Sequence, residues 1–170
     1  MANAALHTFA VGGYHGTTVA DVAREAGISP AYAFKLFPSK ELLFATALET
    51  CFEQVDKALT EGAALARTDD PDGILDAMGD AYAHLIRDRD LLLLQVHAQA
   101  VAQIPDIGSA LRAGLARITS RAKTLSGASD ASVQRFMAYG QLCHLIVTTD
   151  IGDVPDDWAA LLTAGISHPA

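Results

Sequence analysis

In the segment SPAYAFKLF, Tyr32, Lys35 and Leu36 recur at i, i+3 and i+4, so a helix beginning after Ser29 places all three on one side. Ala33 and Phe37 fall on the other side. An outward leucine beside a tyrosine and a lysine suits the major groove of duplex DNA: Leu36 matches a thymine methyl, Lys35 a guanine edge or a phosphate, and Tyr32 offers a ring and a hydroxyl. Thr17 and Thr18 precede another helix, and Lys40 opens a third. Free amides and the helix dipole favour phosphate at such N-termini.

Helices of that kind are written into the flanking residues. Leu6, Phe9 and Ala10 mark a first helix, which Gly12 and Gly13 should end in a left-handed cap. Thr18 with Asp21 resembles a capping box, and Val19, Val22, Ala23 and Ala26 form an apolar stripe before Gly27 stops the second helix. Ser29 is an N-cap, Pro30 suits the first helical position, and Pro38 breaks the third helix after Phe37. Ser39 caps a fourth, from Lys40 to about Leu59. Two short helices crossing through a glycine turn form the helix-turn-helix that carries a recognition helix into the groove.

Beyond residue 60, TEGAALARTDDPDG reads as a polar connector, and Ile74, Leu75, Met78, Tyr82, Leu85 and Ile86 then trace an amphipathic helix. Another spans roughly Asp90 to Ile104 and stops at Pro105. Ile107, Leu111, Leu115, Ile118, Ala122 and Leu125 lie along the next, closed by Gly127. In the helix of about Asp130 to Thr149, Val133, Phe136, Met137, Gly140 and Val147 lie on one side, and Tyr139, Leu142, Cys143 and Ile146 on the other. Such a helix must be covered twice. A last helix from about Asp156 offers Trp158, Leu161, Leu162 and Gly165.

The chain has 170 residues, half of them apolar, with abundant Ala and Leu and few runs of Val, Ile and Thr. That composition indicates an all-α protein. Its net charge of −8 argues against nonspecific coating of nucleic acid, but residues 1–40 hold Arg24, Lys35 and Lys40 against Asp21 and Glu25 and are net positive. The longest aliphatic run, Leu91–Leu94, is far too short for a membrane span. The opening MANAALHTFA lacks the features of a secretory signal, so the cytoplasm is the expected compartment. Cys51 and Cys143 read as reduced core thiols. The histidines lack metal-ligand spacing, and no metal or cofactor is expected. Neither G-x-S-x-G, H-E-x-x-H nor a Walker loop occurs, so an enzyme is not expected.

From Ala4 to about Ala47 the chain resembles the tetracycline repressor (TetR) family of bacterial transcription regulators: AALHTFA, GYHGTTVADVAREAGIS, Y-A-F-K-L-F and P-S-K-E-L-L-F follow the family's order and spacing. The resemblance implies phosphate contacts by Thr18 and Lys40 and a groove-facing set of Ser29, Ala31, Tyr32, Lys35 and Leu36. It departs where the family often has Gly-Thr-Leu-Tyr: here stand Ala31, Tyr32, Ala33 and Phe34, so the phosphate-bonding tyrosine hydroxyl is missing at 34 and Tyr32 is the substitute.

The resemblance also implies a DNA-binding head, residues 1–45, on a helical regulatory body, 46–170, with a small-molecule pocket and a four-helix dimer interface. Polar groups on apolar helices are the ligand candidates: Tyr82, His84, Gln95, His97, Gln99 and Gln103, with Tyr139 and Cys143. Phe136, Met137, Gly140, Val147, Trp158, Leu161 and Leu162 are the dimer candidates. The function expected is a homodimeric regulator, a repressor by resemblance, binding a near-palindromic double-stranded operator and released by a small molecule. The alternative is a helical sensor or protein-interaction module without specific DNA binding.

Overall fold

The computed structural model describes residues 1–166. It is all-helical: α1 Ala2–Gly16, α2 Val19–Glu25, α3 Pro30–Leu36, α4 Lys40–Leu65, α5 Pro71–Leu85, α6 Arg89–Ala100, α7 Pro105–Ser126, α8 Asp130–Thr148 and α9 Asp157–Thr163, with a 3₁₀ turn at Ile151–Asp153. The chain divides into two compact units, Met1–Gln54 with Asp88–Ala116, and Val55–Arg87 with Arg117 onward, so α4 and α7 each contribute to both.

The first unit closes over Ala5, Leu6, Phe9 and Ala10 of α1, Val19, Val22 and Ala23 of α2, Ala33 of α3, and Leu43, Phe44, Ala47 and Leu48 of α4, all buried. Phe9 and Phe44 meet edge to face with centroids 4.8 Å apart, a favoured aromatic geometry. α6 packs along α1. His7 Nδ1 lies 2.6 Å from Asp90 Oδ2, and His97 Nε2 lies 3.2 Å from the Ala10 carbonyl. Gly13 sits under the His97 ring with φ 65°, a conformation suited to glycine, and a Cβ there would come within 3.2 Å of the ring. The expected left-handed residue is therefore present, but α1 kinks there and resumes for a last turn instead of ending.

In the second unit, Val55 and Leu59 of α4, Leu75 and Met78 of α5, Ile118 and Ala122 of α7, and Val133, Ile146 and Val147 of α8 are buried. Asp56 accepts two hydrogen bonds from the Arg121 guanidinium, at 2.7 and 2.9 Å, which hold its carboxyl below the usual range. A small cluster of Ile146, Ile151 and Ala159 fastens α9 to α8, with Leu142, Val154 and Leu162 packed against it.

Two punctuation residues act differently from expectation. α4 runs on to Leu65, through the stretch read as connector. Its Gly62 is a packing residue: a Cβ there would stand 2.7 Å from the Ala77 carbonyl and 2.8 Å from Ala81 Cβ, so only glycine lets α4 pass this close to α5. Pro105 is the first residue of α7, where a missing N–H costs nothing, while α6 has already ended at Ala100.

Candidate nucleic-acid interface and the helical body

At the start of α2 the capping box is complete: Thr18 Oγ1 accepts from the Asp21 amide at 3.1 Å, and the Thr18 amide donates to Asp21 Oδ2 at 2.9 Å. The hydrogen bonds from Thr18, joined by one from Arg24, pull the Asp21 carboxyl down to about 2. Thr18 itself is exposed. Gly27, at φ 66°, turns the chain from α2 into α3. Ser29 Oγ accepts from the Tyr32 amide at 3.2 Å, with Pro30 in the first turn.

Of the α3 side chains only Ala33 is fully buried; Ala31, Tyr32, Phe34, Lys35 and Leu36 are exposed. Tyr32 is 51 %, Phe34 53 % and Leu36 46 % exposed. The predicted recognition face is thus accessible, and Phe34, outside that set, joins it. A turn of 100° per residue from the buried Ala33 would have indicated this.

Thr17 requires a correction. It is 2 % exposed, and its hydroxyl donates to the Thr8 carbonyl at 3.1 Å, so it is an internal tie and is not offered to a phosphate. The absent Cβ of Gly12 makes room for it, since one there would stand 2.5 Å from Thr17 Oγ1. Lys40 donates to the carbonyls of Tyr14 at 2.7 Å and Thr17 at 3.1 Å and lies 4.2 Å over the Tyr14 ring. It closes the C-terminal end of α1, and with three protons and two of these partners it retains a donor for a phosphate. Burial, and then the hydrogen bond it donates to Glu41, raise Tyr14 to about 12, so this latch stays un-ionised in neutral solution.

The ligand candidates fall in both compact units: Gln95, His97, Gln99 and Gln103 belong to the first and Tyr82, His84, Tyr139 and Cys143 to the second. Gln95 is buried and donates to the Leu91 carbonyl of its own helix at 3.0 Å, and His97 is committed to α1. Cys143 is buried, which raises its thiol to about 11. His84 lines a groove of about 660 Å³ between α4 and α5, with Leu65, Ala77 and Ala81 among its walls. Tyr82 pairs with a residue outside the ligand candidates: its hydroxyl is 2.6 Å from His144 Nε2, and His144 Nδ1 is buried without a partner. Burial lowers His144 to about 4, so it is neutral at pH 7. No spacing pattern advertises a lone histidine on the buried side of a helix. Among the described residues no group of side chains is arranged to hold a metal ion, and no helix is long and apolar enough to cross a membrane.

The dimer candidates divide as well. Val147 is buried within its own unit, and the Phe136 ring approaches Gly79 of α5, so both serve the fold of the protomer. Leu162 packs against the α8–α9 cluster, and Met137 and Gly140 are half-buried. Trp158 and Leu161 are exposed, together with Tyr139 and Leu145 of α8. Large apolar side chains are thus left uncovered on both α8 and α9.

The capped α2, the glycine turn at Gly27 and the accessible α3 form a helix-turn-helix, followed by a set of further helices. Residues 2–47 match the family described as bacterial regulatory proteins, tetR family, and the chain has the fold of TetR-family transcriptional regulators. A search of the curated proteins found no match. Among solved structures, the chain is similar to the transcriptional regulator FadR from Bacillus subtilis in complex with stearoyl-CoA, with a TM-score of 0.73 at 17 % identity over 97 % of each chain. It is also similar to a TetR-family regulator from Mesorhizobium loti, with 0.66 at 23 % identity over 95 % of this chain and 86 % of that one. A third likeness is to the multidrug binding protein EbrR complexed with imidazole, 0.67 at 20 % identity over 99 % and 94 %.

Proposed function

We propose that the protein is a ligand-responsive transcriptional regulator, a repressor that binds a near-palindromic operator as a homodimer in the cytoplasm and leaves it when a small molecule occupies the helical body. The single observation that carries this is α3: a capped, glycine-turned second helix whose outward side chains are free, in a head matching the tetR-family description. Residues 1–45 serve as the DNA-binding head and 46–170 as the regulatory body. Thr18, Lys40 and the exposed α2–α3 surface position the head on phosphates, and Ala31, Tyr32, Lys35 and Leu36 face the bases. Two such heads would engage half-sites roughly 34 to 36 Å apart.

An effector favouring one spacing of the heads over another shifts the population of DNA-competent dimers. Tyr82 is the candidate anchor best supported for such a molecule, because its partner His144 retains a buried polar atom with nothing bonded to it. The test is retardation of a palindromic fragment from the protein's own promoter region by the full chain, titrated with salt. Affinity that falls steeply with salt is the expected result. No affinity even at low salt overturns the DNA-binding reading and favours the sensor without DNA. Lys35→Ala and Tyr32→Ala should each weaken retardation; unchanged binding by both removes α3 as the recognition element.

A further inference from the structure

The side chains α3 exposes have an unusual balance. Ala31, Tyr32, Phe34 and Leu36 present mainly carbon, and Lys35 is the one cation among them. The helix carries no Asn, Gln, Arg, Asp or Glu, the residues whose paired donors and acceptors read the edges of adenine, guanine and cytosine. Ser29 at its N-cap already accepts from the Tyr32 amide. With the amide, guanidinium and carboxylate readers missing, base discrimination has two routes left besides the Tyr32 hydroxyl. One is donation from Lys35 to a guanine edge, and the other is apolar contact with the thymine 5-methyl of the major groove.

From the buried Ala33, Phe34 turns about 100° to one side and Tyr32 about 100° to the other, with Leu36 on the Tyr32 flank and Ala31 and Lys35 between them, opposite Ala33. Carbon therefore borders both sides of the lone ammonium. About half of each large ring or leucine surface is open to water in the free protein. An apolar surface left open around one charge is favourable to cover with methyl groups and unfavourable to cover with bare polar base edges.

We propose that Phe34 and Leu36 determine specificity by contacting thymine methyl groups on the two sides of the base reached by Lys35, so that each operator half-site is read through its thymines. This rests on the DNA-binding reading above and adds the chemistry by which sequence is recognised. Phe34, which has no hydroxyl for a phosphate, gains a role as a reader of bases.

The experiment selects the preferred duplex from a random pool with the full chain, then replaces each thymine of the selected half-site by deoxyuridine, which deletes the methyl and leaves every hydrogen-bonding edge intact. Each contacted methyl should be worth about fourfold in affinity, the value of one buried carbon. The loss should vanish at one position in Phe34→Ala and at another in Leu36→Ala, with circular dichroism showing that both variants keep their helices. A selected site without thymine, or uridine duplexes bound as tightly as thymine duplexes, overturns the thymine reading while leaving DNA binding in place. Failure to enrich any duplex overturns the DNA-binding function itself and this proposal with it.

Discussion

His144 holds its proton only down at about 4 in the folded chain, because burial opposes the imidazolium, whereas an unfolded chain takes it up near 6.5. The unfolded state therefore binds more protons between those values, and stability falls as the pH drops from 6.5 toward 4 and then levels off. The contribution is up to about 3 kcal/mol, from the separation of the two values. Denaturant melts of wild type and His144→Phe at pH 7.5 and 4.5 check it: the wild type should lose more on acidification, and parallel losses would mean that His144 is solvated. Tyr82→Phe should leave His144 Nε2 without its hydroxyl partner and cost about 1 kcal/mol, read from the same melts at pH 7.5. At Lys35 the charge faces outward, so Lys35→Ala should leave the melt unchanged, cost about 1 to 3 kcal/mol in operator affinity and relax specificity at the base it reaches.

The head's short helices depend on their ends. α2 has only seven residues, too few to persist without caps and tertiary cover. Thr18→Ala removes one half of the capping box and should cost about 1 kcal/mol in a denaturant midpoint. Longer elements depend on where they touch. At Gly62, alanine would raise helix propensity by about 1 kcal/mol, yet its Cβ would enter the backbone of α5 and overpacking costs about 1 to 3 kcal/mol. Gly62→Ala should therefore be destabilising, and a neutral or raised midpoint would show that α4 and α5 can separate cheaply. Gly114→Ala should be worse, since the added carbon would stand 2.0 Å from the Phe52 ring.

For the whole molecule, the exposed Tyr139, Leu145, Trp158 and Leu161 are the surface on which dimerisation is proposed. Leu161→Glu combined with Trp158→Ala changes side chains the protomer itself leaves uncovered, so the thermal transition at low concentration should hardly move. Sedimentation should show monomers where the wild type forms dimers, and operator affinity should drop about a hundredfold or more as the two heads lose their linkage. An unaltered dimer would place the interface elsewhere. The overall charge of −8 predicts weak nonspecific DNA binding, so operator binding, as proposed, would depend on the few cations of the head, Arg24, Lys35 and Lys40.

Local interactions let the sequence determine the head's helix ends by itself: Thr18 caps onto Asp21 and Ser29 onto Tyr32, each three residues on, with Gly27 turning the chain between them and Pro30 opening α3, and the structure reproduces these caps and the turn. Periodicity likewise determined that the rest is helical, because 3.6-residue spacing is a property of one helix alone. Which side chains of those helices face a neighbour was decided only by tertiary structure. Thr17 and Val147 turned inward, Phe34 outward, and Gly62 became a contact where it had read as connector. His144 found Tyr82 sixty-two residues away. Those outcomes depend on partners brought together from distant parts of the chain, and no short-range pattern encodes such partners.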